Sequence, residues 1–424
     1  MKQPAYKYYV LYSLLVVYIF NFVDRQIMAL FMEPIKQDLD LSDTQLGFMT
    51  GIAFAIFYTT LGIPIARLAD KRNRVTIISW AIAIWSAMTV LSGMAVNFWQ
   101  LVAARIGVGI GEAGCTPAAY SIIADYFPQQ ERSHAVAVYM LGVPLGIMMG
   151  FLLGGWINEL YGWRWAFIAM GVPGLVVAVL VKLTVKEPIR GRYDHEKDAE
   201  AQEGTLVNTF NDLWAKSSFR WLVSGMALTA FVGAGVGQWQ STFFIRHHGM
   251  STGELGSWMS VMAGLCGVIG IFLGDYLPRK LGRSVNNERK QMRLIALTVF
   301  LLMFASAASV LVSNRYLGLC WVGVGTALYF MHYGPAYALV IRLAHSRMRA
   351  MTSALVLLIV NLVGSGLGPQ MVGIISDLLM PRLGSDSLRI SIVINLSILI
   401  AAALCFFQVS KTAQKDLVLE ERES

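Results

Sequence analysis

The stretch TQLGFMTGIAFAIFYTTLGIPIARLADKRNRVTIISWAIAIWSAMTVLSGMAVNFWQLVAA, residues 44–104, contains two long uncharged runs on either side of a short basic loop. The runs are Thr44–Ala66 and Val75–Ala104, and each is long enough to cross the ~30 Å hydrocarbon core of a bilayer as an α-helix. Two apolar runs joined by a loop rich in Lys and Arg are typical of two neighbouring membrane spans.

The composition of the whole chain extends this pattern. Of the 424 residues, 56% are hydrophobic and 14% are charged, whereas about a quarter of a soluble domain is charged. This composition excludes a disordered chain, a fibrous protein and an ordinary soluble enzyme. Ten uncharged runs, together with the two charge-containing runs Tyr8–Met32 and Phe98–Phe127, predict an all-α polytopic membrane protein with twelve transmembrane helices.

The Lys and Arg residues are distributed unevenly between the two sides of these spans. Most lie in the loops and tails on the side of the N-terminus, which predicts that both termini are cytoplasmic. The opposite loops carry only Lys36, Arg164, Arg246, Arg315, Arg382 and Arg389. Because the cations form short clusters between spans, the net charge of +8 does not indicate nucleic-acid binding. The four cysteines lie in apolar runs, so we predict neither a disulfide framework nor a metal site.

The longest polar stretch divides the chain into two halves that resemble each other. We predict an N-terminal six-helix bundle at 1–185, a cytoplasmic linker with an interfacial helix at 186–218, a C-terminal six-helix bundle at 219–410 and a cytoplasmic tail at 411–424. At an offset of 218 residues, small, Pro and acidic residues coincide in six pairs. The pairs are Gly107/Gly325, Pro117/Pro335, Gly146/Gly364, Gly150/Gly368, Gly155/Gly373 and Glu159/Asp377. Parallel repeats of six helices are typical of secondary transporters, whose substrate site lies near the midplane between the repeats.

Four ionisable residues fall well inside predicted spans. They are Asp24 and Arg25 in span one, and Arg105 and Glu112 in span four. Helical spacing places Asn21 beside the first pair and Thr116 one turn beyond Glu112 on the same face. Charges inside a membrane are costly, so they normally pair or face a cavity.

Two interpretations of these charges remain open. The first is a neutral buried network that pins spans one and four together. The second is an anion site with a coupling carboxylate, because the guanidinium fork suits phosphate or carboxylate and a carboxyl group can exchange a proton. The candidate headgroup residues are Asn21, Arg25, Arg105, Glu112, Thr116 and, at the outer end of span seven, Arg246. Arg246 can equally be a solvated loop charge or part of an outer gate.

The second half lacks these charges and carries aromatic residues instead. Six of them are candidates for an apolar cavity wall: Trp239, Phe243, Phe244, Tyr329, Phe330 and Tyr333. For any single one, ordinary packing is an equally good interpretation. A polar wall facing an apolar wall fits an amphipathic anion better than a sugar.

The loop after span two, Ala66-Arg-Leu-Ala-Asp70-Lys71-Arg-Asn-Arg74, resembles the G-x-L-A-D-R-x-G-R-R signature of the major facilitator superfamily, with Ala66, Lys71 and Asn73 as departures. The run Arg105-x-Gly107-x-Gly109 resembles a second signature of that superfamily. The resemblance implies two six-helix bundles around a central cavity and a cytoplasmic gate at Asp70, Lys71, Arg74 and the matching Asp275. The glycines of span five, from Gly142 to Gly155, suit close helix packing and also resemble an antiporter motif, which favours export.

The run Asn21-Phe-Val-Asp24-Arg25, with Arg105-x6-Glu112-Ala113, resembles the Spinster branch of the superfamily. The resemblance implies a proton-linked transporter of sphingosine-1-phosphate, lysophospholipids or related lipids in a bacterial inner membrane. It implies proton coupling at Asp24, with Glu112 as the alternative, and a headgroup surrounded by Arg25, Arg105 and Glu112. The expected partners are an amphipathic anion and membrane lipids, with the proton as coupling ion, no cofactor and a monomeric protein.

Three alternatives stay open, and one of them is a structural or receptor protein that binds a ligand without moving it. A proton symporter of a small soluble organic anion would use the same arginines and need no apolar cavity. A membrane-embedded lipid-modifying enzyme is disfavoured, because the sequence has neither a nucleophile–base pattern nor a metal-binding pattern.

Overall fold

The computed structural model describes residues 3–193, 206–280, 287–344 and 348–423, and these residues form helices and no strand. The helices are α1 (Gln3–Leu39), α2 (Asp43–Thr50), α3 (Ile52–Lys71), α4 (Arg74–Gly93), α5 (Phe98–Glu112), α6 (Cys115–Tyr126), α7 (Gln129–Met140), α8 (Gly142–Tyr161), α9 (Trp163–Thr184), α10 (Leu206–Ala215), α11 (Ser217–His248), α12 (Thr252–Lys280), α13 (Asn287–Leu311), α14 (Arg315–Met331), α15 (Tyr333–Leu343), α16 (Arg349–Asn361), α17 (Gly368–Leu383) and α18 (Ser387–Glu423). A π-helical turn, Leu362–Leu367, joins α16 to α17.

Within the described residues, nine helical stretches are long and apolar enough to cross a membrane. One of them, Met351–Gln414, is 64 residues long and contains two spans. Spans four and ten are each divided into two shorter helices by an interruption. Span four breaks between α5 and α6, and span ten breaks at His332 between α14 and α15. The all-α polytopic architecture with twelve spans is therefore confirmed.

The chain forms two compact units. Unit 1 contains Met1–Glu200 together with Phe244–Ser260, and unit 2 contains Ala201–Phe243 and Val261–Ser424. These boundaries differ from the predicted 1–185, 186–218, 219–410 and 411–424. The segment 244–260 joins unit 1 because it packs on α8, where Gly155 lies against Thr252 and Gly256.

The predicted linker and tail are bound to the two units where they are described. Tyr126 donates to the Lys186 carbonyl over 2.8 Å, which ties the start of the linker to unit 1. The predicted interfacial helix corresponds to α10, which packs on α16 in unit 2, while 194–205 lie outside the described residues. The predicted tail continues α18, and Asp416 accepts hydrogen bonds from the Ser218 backbone and hydroxyl.

Small residues set the helix packing in both halves. A Cβ atom added to Gly146 on α8 would lie 2.6 Å from the Ile19 carbonyl oxygen of α1. A Cβ atom added to its repeat partner Gly364 would lie 2.8 Å from the Ala230 Cβ of α11. The same two spans of each half, the first and the fifth, therefore approach through glycine, and close packing accounts for the glycines of span five.

Candidate functional site

The break in span four positions the charged residues of unit 1. Helix α5 ends at Glu112, and α6 starts at Cys115. Before the break, Gly109 lets α3 approach α5, since an added Cβ would lie 3.0 Å from the Phe54 carbonyl oxygen. Gly111 lets α4 approach in the same way, at 2.7 Å from the Trp85 nitrogen. The glycine signature of span four thus brings α3 and α4 against the helix that carries Arg105 and Glu112.

Arg25 of α1 and Glu112 of α5 form an ion pair at the centre of this region. The Arg25 Nε donates to Glu112 Oε2 over 2.7 Å. The Glu112 side chain is fully buried, whereas 25% of the Arg25 side chain is exposed. Arg25 is therefore the accessible member of the pair, and the bond to Glu112 uses one of its five N–H groups.

Aromatic rings surround the two arginines. The Arg25 Cζ lies 4.8 Å from the ring centre of Tyr58, 5.3 Å from that of Phe54 and 5.2 Å from that of Phe22. The Arg105 Cζ lies 5.5 Å from the same Phe54 ring. These distances fall within the range of cation–π attraction. We call Asn21, Asp24, Arg25, Arg105 and Glu112, with Phe22, Phe54 and Tyr58, the charged cluster.

Several polar atoms of the charged cluster are buried without a hydrogen bond. Asn21, Asp24, Arg105 and Glu112 are each at most 4% exposed. Asp24 Oδ1, Arg105 Nε and Glu112 Oε1 have no hydrogen-bond partner within the described part of the chain. Asp24 interacts with the charges of Glu112 and Arg105 and with the Thr89 hydroxyl. A purely structural network normally satisfies its buried polar atoms, so these open atoms favour the anion-site interpretation.

Two predicted headgroup residues, Thr116 and Arg246, have interaction partners outside the charged cluster. Thr116 falls in the first turn of α6, beyond the break at residues 113–114, so the helical face expected to run from Glu112 to Thr116 is interrupted. Its hydroxyl is near Tyr139. Pro117 explains the break, because proline has no N–H to donate to the carbonyl of Ala113, and its repeat partner Pro335 follows the break at His332 in the same way.

Arg246 belongs to a separate cluster within unit 1. Its Nη2 donates to Glu33 over 2.8 Å and its Nη1 donates to Asp43 over 2.9 Å. Lys36 adds a 2.5 Å ion pair to Asp43. The Arg246 side chain is 12% exposed and engaged by two carboxylates, which favours the gate interpretation over a headgroup contact. We call Glu33, Lys36, Asp43 and Arg246 the outer cluster.

The six aromatic candidates form two groups of three, one buried and one half-buried. Trp239, Phe243 and Phe244 are at most 1% exposed, and the Trp239 indole donates to the Pro369 carbonyl over 2.8 Å. In this structure they pack inside the protein, and their role in a cavity wall stays a prediction. Tyr329, Phe330 and Tyr333 are only half-buried, and their rings contact one another in edge-on or tilted geometry with centres 5.4 to 6.2 Å apart.

The predicted gate residues have different environments. Lys71 and Asp275 are exposed, and the Asp70 side chain lies outside the described residues. Arg74 is 2% exposed and pairs with Asp125 at 2.5 Å and Glu187 at 2.7 Å. We call Arg74, Asp125 and Glu187 the Arg74 clamp. It joins α4, α6 and the segment after α9 within unit 1, and the sequence did not predict its two carboxylates.

Comparisons with known proteins agree with this architecture. Residues 14–369 match the family model of the Major Facilitator Superfamily. An MFS-type efflux pump of Mycolicibacterium smegmatis is 32% identical over 403 residues, which cover 95% of this chain and 92% of the pump. Human protein spinster homolog 1 is 26% identical over 380 residues, covering 84% of this chain and 70% of the human protein.

A solved structure is similar over nearly the whole chain. It is the crystal structure of a bacterial homolog of the human lysosomal transporter Spinster, in an inward-facing and unoccupied conformation. The TM-score is 0.87 at 31% identity, with 98% of this chain and 99% of that chain covered. The chain therefore belongs to the major facilitator superfamily and is a multi-pass membrane transporter of the Spinster type, not an enzyme.

Proposed function

We propose that this protein is a proton-coupled secondary transporter of an amphipathic anion, with sphingosine-1-phosphate-like lipids and lysophospholipids as the substrate class. The observation that carries the proposal is the Arg25–Glu112 pair, which is buried on the glutamate side and accessible on the arginine side. Alternating access is the mechanism common to transporters built from such repeats. Export is supported by the similarity to the mycobacterial efflux pump.

The arginines of the charged cluster suit a phosphate headgroup. Glu112 accepts from the Nε–H of Arg25 and Tyr58 also interacts with this guanidinium, while the accessible part of the side chain can present further N–H groups to a phosphate oxygen. Arg105 adds a second positive charge, and its Nε has no hydrogen-bond partner among the residues that the structure describes. The rings of Phe22, Phe54 and Tyr58 supply an apolar surface next to this headgroup site.

The carboxylates of the cluster suggest how proton and lipid are coupled. Sphingoid phosphates and lysophosphatidylethanolamine carry an ammonium group beside the phosphate. Two acids and two bases are complementary to such a zwitterion, with phosphate on the arginines and ammonium on Asp24 or Glu112. Because an ammonium and a proton compete for the same carboxylate, this arrangement leads to exchange of lipid for protons. Exchange of this kind is antiport.

We further propose that the protein works as a monomer in the bacterial inner membrane with both termini in the cytoplasm. The distribution of Lys and Arg supports this orientation.

Sealed vesicles with a trapped pH-sensitive dye test the proposal. We expect lysophosphatidylethanolamine to drive proton movement opposite to the lipid. Lysophosphatidic acid of the same chain length, which lacks the ammonium group, should bind without this exchange. The Arg25→Gln variant should show neither the proton movement with lysophosphatidylethanolamine nor the binding of lysophosphatidic acid. Lipid transport without any proton movement would remove the coupling, and unchanged transport in Arg25→Gln would remove the headgroup assignment.

A second candidate is proton symport of a small soluble organic anion. The burial of Trp239, Phe243 and Phe244 favours it, because fewer aromatic side chains remain for a lipid tail. A simple anion that binds Arg25 would leave the buried Glu112 carboxylate without its ion-pair partner, which is unfavourable. A proton on Glu112 would remove this cost, so the proton would enter together with the anion. A soluble dicarboxylate that outcompetes every lipid, with protons moving in the same direction, would establish this candidate.

A further inference from the structure

Two apolar grooves lie side by side on the surface of unit 1. The first has a volume of about 510 Å³ and is lined by α3, α4 and α5. The second has a volume of about 330 Å³ and is lined by α4 and α9. Trp80 is the residue that lines both, and it is 65% exposed. Its indole therefore separates the two grooves.

Both grooves carry a cation at the same end. Arg72, which is exposed, lines the first groove, and Lys182 lines the second. The Lys182 Nζ donates to the Thr76 hydroxyl over 2.6 Å, and Thr76 lies one turn before Trp80 on α4. The ammonium group has three donors, so this bond leaves donors for an anion. The two grooves thus meet at a basic, polar end next to Trp80.

The dimensions of the first groove fit one leaflet of a bilayer. It extends along α4 from Asn73 to Ile84, which is roughly 17 Å at the rise of an α-helix. This length is close to half of the ~30 Å hydrocarbon core. Exposed apolar side chains, such as Leu68 at 47% and Leu183 at 76%, form the rest of the two walls.

We propose that these grooves hold an anionic phospholipid of the surrounding membrane with two acyl chains. One chain lies on each side of Trp80, and the phosphate lies at Arg72 and Lys182. The charge of the polar end selects an anionic headgroup, and the pair of grooves selects a diacyl lipid. This site does not depend on the proposed transport function, since its polar side chains are not members of the charged cluster.

Native mass spectrometry of the delipidated full-length protein tests the site. The probes are phosphatidylglycerol, phosphatidylcholine and lysophosphatidylglycerol with identical acyl chains. We expect phosphatidylglycerol to bind more tightly than either of the other two. Arg72→Gln and Lys182→Gln should each weaken its binding about fivefold, and the double variant about thirtyfold. Trp80→Ala should weaken both diacyl lipids, because it removes a contact to each chain.

Two matched variants serve as controls. Lys186→Gln removes an exposed cation just beyond the end of α9, and Trp165→Ala removes another exposed tryptophan, at 62% exposure. Both should keep the wild-type affinity for phosphatidylglycerol. Equal binding of phosphatidylglycerol and phosphatidylcholine by the wild type would overturn the headgroup assignment. Equal binding of the lyso form would overturn the two-chain arrangement. If the double variant does not fold, an unchanged affinity in Lys182→Gln alone would overturn the proposal.

Discussion

Unit 1 buries arginine in two different ways. In the Arg74 clamp, Nε donates to Glu187, Nη1 to Asp125 and Ser121, and Nη2 to the Pro188 carbonyl. In the charged cluster, Arg105 is almost as deeply buried, yet its Nε has no acceptor among the described residues. Burial and ion pairing are common to both regions, so neither distinguishes a structural arginine from a binding one. The difference lies in whether the N–H groups of the arginine all have acceptors within the protein. We therefore expect substitution in the Arg74 clamp to lower stability, and substitution in the charged cluster to lower transport.

The largest effect should come from Arg74→Gln. Removing one partner of a buried ion pair costs about 3–5 kcal/mol, and here two carboxylates lose their partner. We expect a lower Tm and a reduced yield of folded protein in detergent, with unchanged transport per folded molecule. Lys71→Gln, an exposed cation of the same loop, is the control for stability and should keep the wild-type Tm. A wild-type Tm in Arg74→Gln would contradict a structural role for the clamp.

Arg25→Gln should reduce transport strongly and the Tm only slightly. We expect transport of a single-chain phospholipid into vesicles to fall about a hundredfold, the order for losing one member of a buried charge pair. The Tm should fall less than in Arg74→Gln, because the Arg25 side chain is 25% exposed. Arg67→Gln, an exposed arginine of α3, is the control for transport. If Arg25→Gln loses the fold before it loses transport, the charged cluster is a structural network like the clamp.

Asp24→Asn should have a smaller effect on binding than on coupling. The amide keeps the shape of the carboxylic acid but does not exchange a proton. We expect lipid affinity to change by about fivefold or less, the order of one hydrogen bond, while the dependence of transport on external pH is lost. Glu112→Gln gives the matched comparison. A pH dependence that survives in Asp24→Asn and disappears in Glu112→Gln would move the proton site to Glu112.

The smallest effect should come from Tyr337→Phe in unit 2. The Tyr337 hydroxyl is buried and has no hydrogen-bond partner among the described residues. Removing an unsatisfied buried polar group is neutral or stabilises by about 1 kcal/mol. The Tm should therefore stay the same or rise slightly. A clear drop would mean that a water or ligand occupies this position next to the half-buried tyrosines.

Much of the fold could be predicted because it depends on properties that a sequence displays directly. Run length and the positions of Lys and Arg define the spans, and the 218-residue offset defines the repeat. The interruption of span four was missed although Pro117 signals it, since proline disrupts the hydrogen bonding of a helix but leaves the apolar run unchanged in composition. The transfer of 244–260 to unit 1 depends on a contact with Gly155, which lies far away in the chain.

Only the ionisable residues of the charged cluster could be predicted from the sequence. Its ionisable members stand out because charges are rare inside spans. Phe54, Tyr58 and Thr89 do not stand out, because an uncharged membrane helix shows little periodicity from which to tell its faces apart. The same ambiguity applies to Trp239, Phe243 and Phe244, because the sequence does not show that tertiary packing buries them.

The bond between Asp416 and Ser218 has a practical consequence for protein engineering. Residues 411–424 look like a dispensable tail, and such a tail is an obvious place for an affinity tag or a fluorescent fusion. However, Asp416 accepts from the Ser218 backbone over 2.8 Å and from its hydroxyl over 2.6 Å, where α11 begins. A fusion that replaces this segment would leave the first turn of α11 uncapped, whereas a fusion after the last residue keeps the cap in place.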